Sequence, residues 1–255
     1  MDKLKAEFLT DRGQVRDHNE DSGGIFFNQK DQLLAIIADG MGGHKAGDVA
    51  SNMAVKIVKN AWLETEYIDG PEKAEAWITD ILQRINIEIY EHSLEKEELR
   101  GMGTTAVIAV CTDDFVTIGH IGDSRCYLRN ADGFKQLTED HSLVNELVKT
   151  GQISSEDAEH HPRKNIVLKA LGTEEEIHAD VKSLSWEKGN RLLLSSDGLT
   201  DKISNDELDV FINSDHEIQE IGKQLIETAN ERGGEDNISV ILIDYSEKEE
   251  GESSC

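Results

Sequence analysis

The order in which two kinds of apolar segment alternate restricts this chain's fold more than any other feature. Short runs of β type occupy Phe8–Thr10, Gly24–Phe27, Leu33–Asp39, Thr104–Cys111, Phe115–Ile121, Cys126–Leu128, Arg191–Ser195 and Ile238–Ile243. Asp113-Asp114 falls between two such runs as a hairpin turn, and Asn130-Ala131-Asp132-Gly133 reads the same way. Helical periodicity appears in Ala46–Leu63, where Val49, Met53, Val55, Ile57, Val58 and Trp62 fall near one face. It returns in Glu72–His92, Ser142–Thr150, Asn205–Ile212 and Ile218–Glu231. Strands joined by tight turns imply antiparallel sheet, and the long helices come in pairs away from them. The order predicts an α+β sandwich with helices covering sheet faces rather than a βαβ repeat.

One domain is expected. Only Pro71 and Pro162 interrupt the 255 residues, neither in a Pro/Gly/Ser-rich boundary, and there is no internal repeat. The last eleven residues, Tyr245–Cys255, are acidic and Ser-rich and read as a solvated tail, leaving 1–244 as the folded unit. With 26 Lys and Arg against 52 Asp and Glu, the net charge of −26 argues against nucleic-acid binding through a basic groove. No apolar run approaches the ~20 residues that span a bilayer, and the start Met1-Asp2-Lys3-Leu4-Lys5 has no apolar signal core. These features predict a cytosolic protein without membrane insertion. Cys111, Cys126 and Cys255 form no CxxC pair, which argues against a disulfide framework and a thiolate zinc site. Thr117 and Asp132 stand where a cysteine-nucleophile phosphatase loop needs arginine. The chemistry is left to oxygen and nitrogen donors.

Four segments place carboxylates where apolar strands end or begin. They are Arg16-Asp17-His18-Asn19-Glu20-Asp21, Asp39-Gly40-Met41-Gly42-Gly43-His44, Ser195-Ser196-Asp197-Gly198 and Gly233-Gly234-Glu235-Asp236-Asn237. A strand fixes the carboxylate, and a following glycine lets a backbone carbonyl approach as a further donor. Oxygen-only donors select Mg²⁺ or Mn²⁺, and a pair of such ions brings a bridging water towards hydroxide near neutral pH. Each segment alone is an ordinary turn. Familiar alternatives fail in detail. Lys45 occupies the third glycine's place of a dinucleotide fingerprint, and Asp48 follows Gly47 where a P-loop needs Lys. Asp17-x-Asn19-x-Asp21 starts like an EF-hand, but Ser22 replaces its glycine and Asn28 its closing glutamate.

Taken together and in order, Arg16–Asp21, Asp39–Ala50, Gly101–Thr105, Gly119–Arg125, Thr138–Val144, Ser195–Leu199 and Gly233–Asn237 resemble the metal-dependent protein phosphatases of the PPM (protein phosphatase 2C-like) family. The resemblance is greatest to stand-alone bacterial serine/threonine phosphatases paired with a transmembrane Ser/Thr kinase, and it covers residues 5–244. It implies an αββα sandwich of two central antiparallel sheets flanked by helix pairs, with a binuclear metal centre at one edge. Carried over by position, Asp39 bridges two Mn²⁺ or Mg²⁺ ions, and Asp197 and Asp236 complete one site. The Gly40 carbonyl, with Glu20 through water, serves the other, and Asp123 helps hold a weaker third ion. Arg16 matches the phosphate-binding arginine, whose planar fork suits a phosphoryl dianion.

The implied reaction is hydrolysis of phosphoserine and phosphothreonine by a metal-bridging hydroxide, on phosphorylated proteins that include a cognate kinase, by a monomer. In the animal enzymes a histidine follows Asp-Gly directly. Here Met41 holds that place and His44 comes three residues later; the general acid is His44 or, equally, a metal-bound water, and His44 also reads as a residue capping the helix Ala46–Leu63. His160-His161 lies in what the family makes a mobile flap; no third nitrogen or sulfur ligand accompanies the pair. Asp140-His141 reads as the N-terminal cap of the helix Ser142–Thr150. Two rivals remain. One is a two-metal phosphoesterase acting on nucleotides or nucleic acid, which the acidic surface disfavours. The other is a catalytically silent phosphoprotein-binding module, which would have lost one of Asp39, Asp197 and Asp236.

Overall fold

The computed structural model describes residues 4–42 and 46–245. Among the described residues, eleven strands form two antiparallel sheets. The first has the order β1(Lys5–Asp11), β11(Ile238–Asp244), β10(Arg191–Ser195), β7(Arg125–Asn130), β8(Gly133–Gln136). The second runs β2(Asp21–Phe27), β3(Leu33–Met41), β5(Ala106–Cys111), β6(Phe115–Ile121), β9(Asp180–Ser185), with the two-residue β4(Gly103–Thr104) pairing the end of β3.

The period-two geometry of a strand explains how β3 builds two cores at once. Leu34, Ile36 and Ala38 pack with Ala50, Ala54, Val58 and Trp62 of α1(Ala46–Glu64) and Ile78, Leu82 and Ile85 of α2(Pro71–Glu95). Leu33, Ala35 and Ile37 point the other way, into an inter-sheet layer with Leu192, Leu194, Ile241 and Ile243. The run of apolar residues is continuous because both faces of the strand are covered. On the first sheet Leu193, Val240 and Leu242 face a third cluster with Leu208, Ile221 and Leu225, from α6(Asn205–Ile212) and α7(Ile218–Glu231). The layers are therefore helices, sheet, sheet, helices, as expected.

The hairpins at Asp113-Asp114 and Asn130–Gly133 are present, since Cys111 pairs Val116 and Asn130 pairs Gly133. Strand β9 was not anticipated. It is a half-polar edge strand whose sequence, Asp-Val-Lys-Ser-Leu-Ser, buries little. The cap assigned to Asp140-His141 is a correction: helix α3(Leu143–Lys149) is capped by Ser142, whose Oγ accepts from Asn145 N. Asp140 instead pairs with Arg125, at 3.0 Å from Nε and 2.6 Å from Nη2, and His141 stacks on His120. Tyr245, expected as the first tail residue, is buried against Trp186, and its hydroxyl donates to Asp113 O at 3.0 Å. His44 and the rest of the tail lie outside the described residues.

Candidate active site

Strand ends from both sheets meet at one edge of the sandwich. The register of the β2–β3 hairpin pairs Phe27 with Leu33 and therefore Asp21 with Asp39, six residues along on each side. Asp123 follows the end of β6. Asp197 opens the short helix α5(Asp197–Thr200) directly after β10, and Asp236 precedes β11. Ser196 ties the two sheets together here: its Oγ donates to Asp21 Oδ2 at 2.7 Å while accepting from Ser239 N at 3.0 Å.

The end of β3 is held firmly. Asp39 N donates to Thr105 Oγ1 at 3.0 Å, and Asp39 O accepts from Thr104 Oγ1 at 2.8 Å and from Thr105 N at 2.9 Å. Gly40 must be glycine, because a Cβ there would sit 2.2 Å from Gly47 O and 2.6 Å from Glu20 O. Its small size lets the first turn of α1 lie against the strand end. Glu20 is anchored through its backbone by Asn237 Oδ1 at 2.8 Å and by Ser51 Oγ, which donates to Glu20 O at 2.6 Å.

The electrostatics record how closely the carboxylates converge. Burial, and then the charges of Asp21, Asp197, Asp123 and Asp236, push the Asp39 carboxyl well above the usual carboxylate range. Asp197 is pushed up likewise, by burial first and then by Asp123, Asp236, Asp201 and Asp21. Asp21 rises to about 6, mainly through burial, and Asp123 rises to about 6 through burial and the nearby Asp140 charge. Glu20 is raised by burial and partly brought back by Arg16.

The donor set fits divalent cations. Asp21 Oδ1 and Asp197 Oδ1 are both buried, and among the described residues neither meets a hydrogen-bond donor. A buried carboxylate oxygen without a donor is costly unless something positive faces it. Aspartates 21, 39, 123, 197 and 236 with the Gly40 carbonyl form an oxygen-only set suited to hard ions such as Mg²⁺ and Mn²⁺.

Arg16 is half-exposed at the rim. Its Nη2 lies 2.6 Å from Asp236 Oδ2, and its Nε donates to Glu235 O at 3.3 Å. The loops carrying the pair clasp one another: Gln14 N donates to Gly234 O at 2.7 Å, and a Cβ on Gly13 (φ +80°) would sit 2.2 Å from Asp236 O. Across the rim, Lys164 Nζ reaches Asp201 Oδ2 at 2.7 Å and fastens the segment 142–170 to the end of α5.

The structure thus brings Arg16, Glu20, Asp39, Gly40, Asp123, Asp197 and Asp236 to one edge. Asp21 went unassigned in sequence, although it lies inside a motif that stood out. The available signal was the hairpin register, which carries Asp39 to Asp21 once Phe27 and Leu33 are paired.

Comparison with known proteins accords with this geometry. The family model described as protein phosphatase 2C matches residues 11–242, and the chain belongs to that family. It is 46% identical over 248 residues to the Listeria innocua protein named serine/threonine phosphatase stp, covering 97% of this chain and 98% of that one. The structure superposes with a TM-score of 0.90 on serine/threonine phosphatase Stp1 from Staphylococcus aureus, at 40% identity and 95% coverage of each chain. It also superposes, with a TM-score of 0.83 and 32% identity, on the catalytic domain of the phosphatase PstP in complex with 2 manganese ions, covering 96% of this chain and 99% of that one.

Proposed function

We propose that the chain is a metal-dependent protein phosphatase that hydrolyses phosphoserine and phosphothreonine in proteins phosphorylated by a Ser/Thr kinase. The observation that carries this is the set of acidic side chains converging at one edge of the sandwich, with two buried oxygens that no donor among the described residues satisfies, beside a half-exposed arginine. The family membership and the names of the relatives support the same substrate class.

Asp39 would bridge two ions. Asp197 and Asp236 would complete one site, and the Gly40 carbonyl, with Glu20 through water, the other. Asp123 would hold a weaker third ion, Mn²⁺ and Mg²⁺ being the ions this donor set favours. Bound divalent cations supply Lewis acidity that lowers the pKa of water and a positive field for phosphate. The chain's own residues supply the rest. Arg16 binds the phosphoryl oxygens through its planar fork, exchanging its bond to Asp236 for the substrate dianion. Ser196 and Thr105 fix the aspartates, so little rearrangement accompanies the reaction. Water attacks phosphorus in line with the leaving serine or threonine oxygen, and no phosphoenzyme forms, since no side-chain nucleophile is required. The leaving oxygen takes up a proton from His44 or from a water, the two donors that the sequence offers.

The acidic surface favours a protein over a nucleic acid as substrate, and no helix among the described residues is long and apolar enough to cross a membrane. We place the protein in the cytoplasm, acting as a monomer. The test compares a phosphothreonine peptide with a dinucleotide under Mn²⁺. Hydrolysis of the peptide is expected; preferential cleavage of the dinucleotide would make the chain a phosphodiesterase.

A further inference from the structure

Behind the turn that carries Asp123 lies a second group of metal-ligating side chains. His120 is the last residue but one of β6, His141 stands at the foot of the segment 142–170, and Asp180 begins the edge strand β9. The two imidazoles are buried and stacked, their centroids 4.8 Å apart and their planes inclined by 11°. One ligand atom from each residue lies within 4.8 Å of the other two. We propose that His120, His141 and Asp180 bind one transition-metal cation of the Zn²⁺ class, separate from the carboxylate centre, and that its occupancy lowers turnover through the turn bearing Asp123.

The surroundings suit such an ion. His120 Nε2 lies 2.9 Å from Glu139 O, which can only accept, and 3.4 Å from Glu139 N; the shorter contact places the ring proton on Nε2 and leaves Nδ1 with its lone pair. A backbone carbonyl on the far ring nitrogen is the usual partner of a metal-binding histidine. His141 Nε2 lies 3.4 Å from Asp180 Oδ2. Burial holds both imidazoles below their ordinary pKa, aided at His141 by its neighbours His120 and Lys169, so both are neutral at neutral pH and available as ligands. Two imidazole nitrogens and one carboxylate oxygen make a zinc-type set, to which a water would add the fourth ligand, whereas Mg²⁺ keeps to oxygen donors. A tetrahedral zinc site with Zn–N of about 2.0–2.1 Å has edges of about 3.3 Å. The ligands must therefore draw in, and Asp180 can move, since its side chain is 56% exposed on an edge strand.

The coupling follows from tautomers. Without a metal, His141 Nδ1 accepts from Gly122 N at 3.2 Å, so the ring proton sits on Nε2, towards Asp180. A cation at Nε2 moves that proton to Nδ1, where it faces the Gly122 N–H instead of accepting from it. Gly122 (φ +103°) then loses its acceptor, and Asp123 is the next residue. This inhibitory step rests on the phosphatase reading; the binding of the ion does not.

The experiment titrates Zn²⁺ into protein held in saturating Mg²⁺, measuring bound zinc, zinc-edge X-ray absorption and phosphopeptide turnover. No ligand assigned to the carboxylate centre is a histidine, and the imidazole scattering lost on replacing His120 is the part that belongs to this site. The wild type should bind one zinc with imidazole scattering and lose turnover as it binds. Asp180→Asn should keep its Mg²⁺-supported turnover, bind zinc at least tenfold more weakly and resist inhibition. His120→Gln should remove part of the imidazole signal. A zinc spectrum without imidazole scattering, or unchanged zinc affinity in both variants, would overturn the site. Zinc bound as described with turnover unmoved would overturn the coupling. Absence of turnover in Mg²⁺ alone would instead count against the phosphatase reading.

Discussion

Replacing Asp21 by asparagine should make the metal-free protein more stable and its metal-bound form less so. Asp21 is 7% exposed, accepts from Ser196 Oγ through one oxygen and has no donor among the described residues on the other. Its carboxyl titrates at about 6 in the fold against an ordinary value of 3.8. A carboxyl whose folded value is raised contributes stability below its unfolded pKa and loses it as pH rises through the folded one. Between about pH 4 and pH 8 the ionising Asp21 should therefore cost the metal-free wild type about 3 kcal/mol, from roughly 2.2 pKa units at 1.36 kcal/mol each. Asparagine carries no charge to desolvate. Its carbonyl can still accept from Ser196, and its amide would face the Asp39 carboxylate. For a chain of this size about 3 kcal/mol corresponds to roughly 6–12 °C in melting temperature. Thermal denaturation in chelator should show the two proteins alike near pH 4 and the variant melting higher at pH 8. Mn²⁺ should reverse the order, because the variant has lost an anion facing the ions. A gap that does not change with pH in chelator, or a variant that melts lower at pH 8, would refute the reasoning.

Asp123→Ala should retain the two tightly held metals yet lose most turnover, with extra Mn²⁺ restoring it only in part. A Mn²⁺ activation curve matching wild type throughout would make Asp123 a turn residue. Arg16→Ala should raise KM about ten- to hundredfold, from the ~1.5–3 kcal/mol of a charge-assisted bond to phosphate, with kcat little changed; unchanged kinetics on a phosphopeptide would reduce Arg16 to a rim ion pair. Gly40→Ala should destabilise the fold by about 3 kcal/mol or more, since its methyl would meet backbone rather than a movable side chain. A urea midpoint equal to wild type would show that α1 can withdraw at no cost.

The parts of the site that were readable in sequence share a cause. Asp39, Asp197 and Asp236 each adjoin an apolar run buried on both faces, so the change from apolar to acidic is abrupt and falls at a strand end. Asp21 lacked that contrast. It closes the polar stretch Arg16–Asp21, and its strand, Asp-Ser-Gly-Gly-Ile-Phe-Phe, becomes apolar only in its second half. Strand β9 was hidden because an edge strand with one wet face needs little hydrophobicity. Asp140-His141 reads as a cap in sequence because the residues before a helix look alike whether they cap it or not. What draws Asp140 away is Arg125, and what holds His141 is His120, both remote in sequence. Tyr245 looked like tail because its partners, Trp186 and Asp113, are supplied by other loops.

The central claim, that carboxylates at the sheet edge hold the ions on which phosphopeptide hydrolysis depends, is tested most directly by one measurement. Phosphate release from a phosphothreonine peptide would be followed with metal-stripped wild type and Asp39→Asn as Mn²⁺ is restored. The account predicts no release by either protein in chelator, recovery of the wild type with added Mn²⁺, and an inactive Asp39→Asn at every concentration although it remains folded by circular dichroism. Release by the stripped wild type, or a wild-type rate from Asp39→Asn, would contradict it.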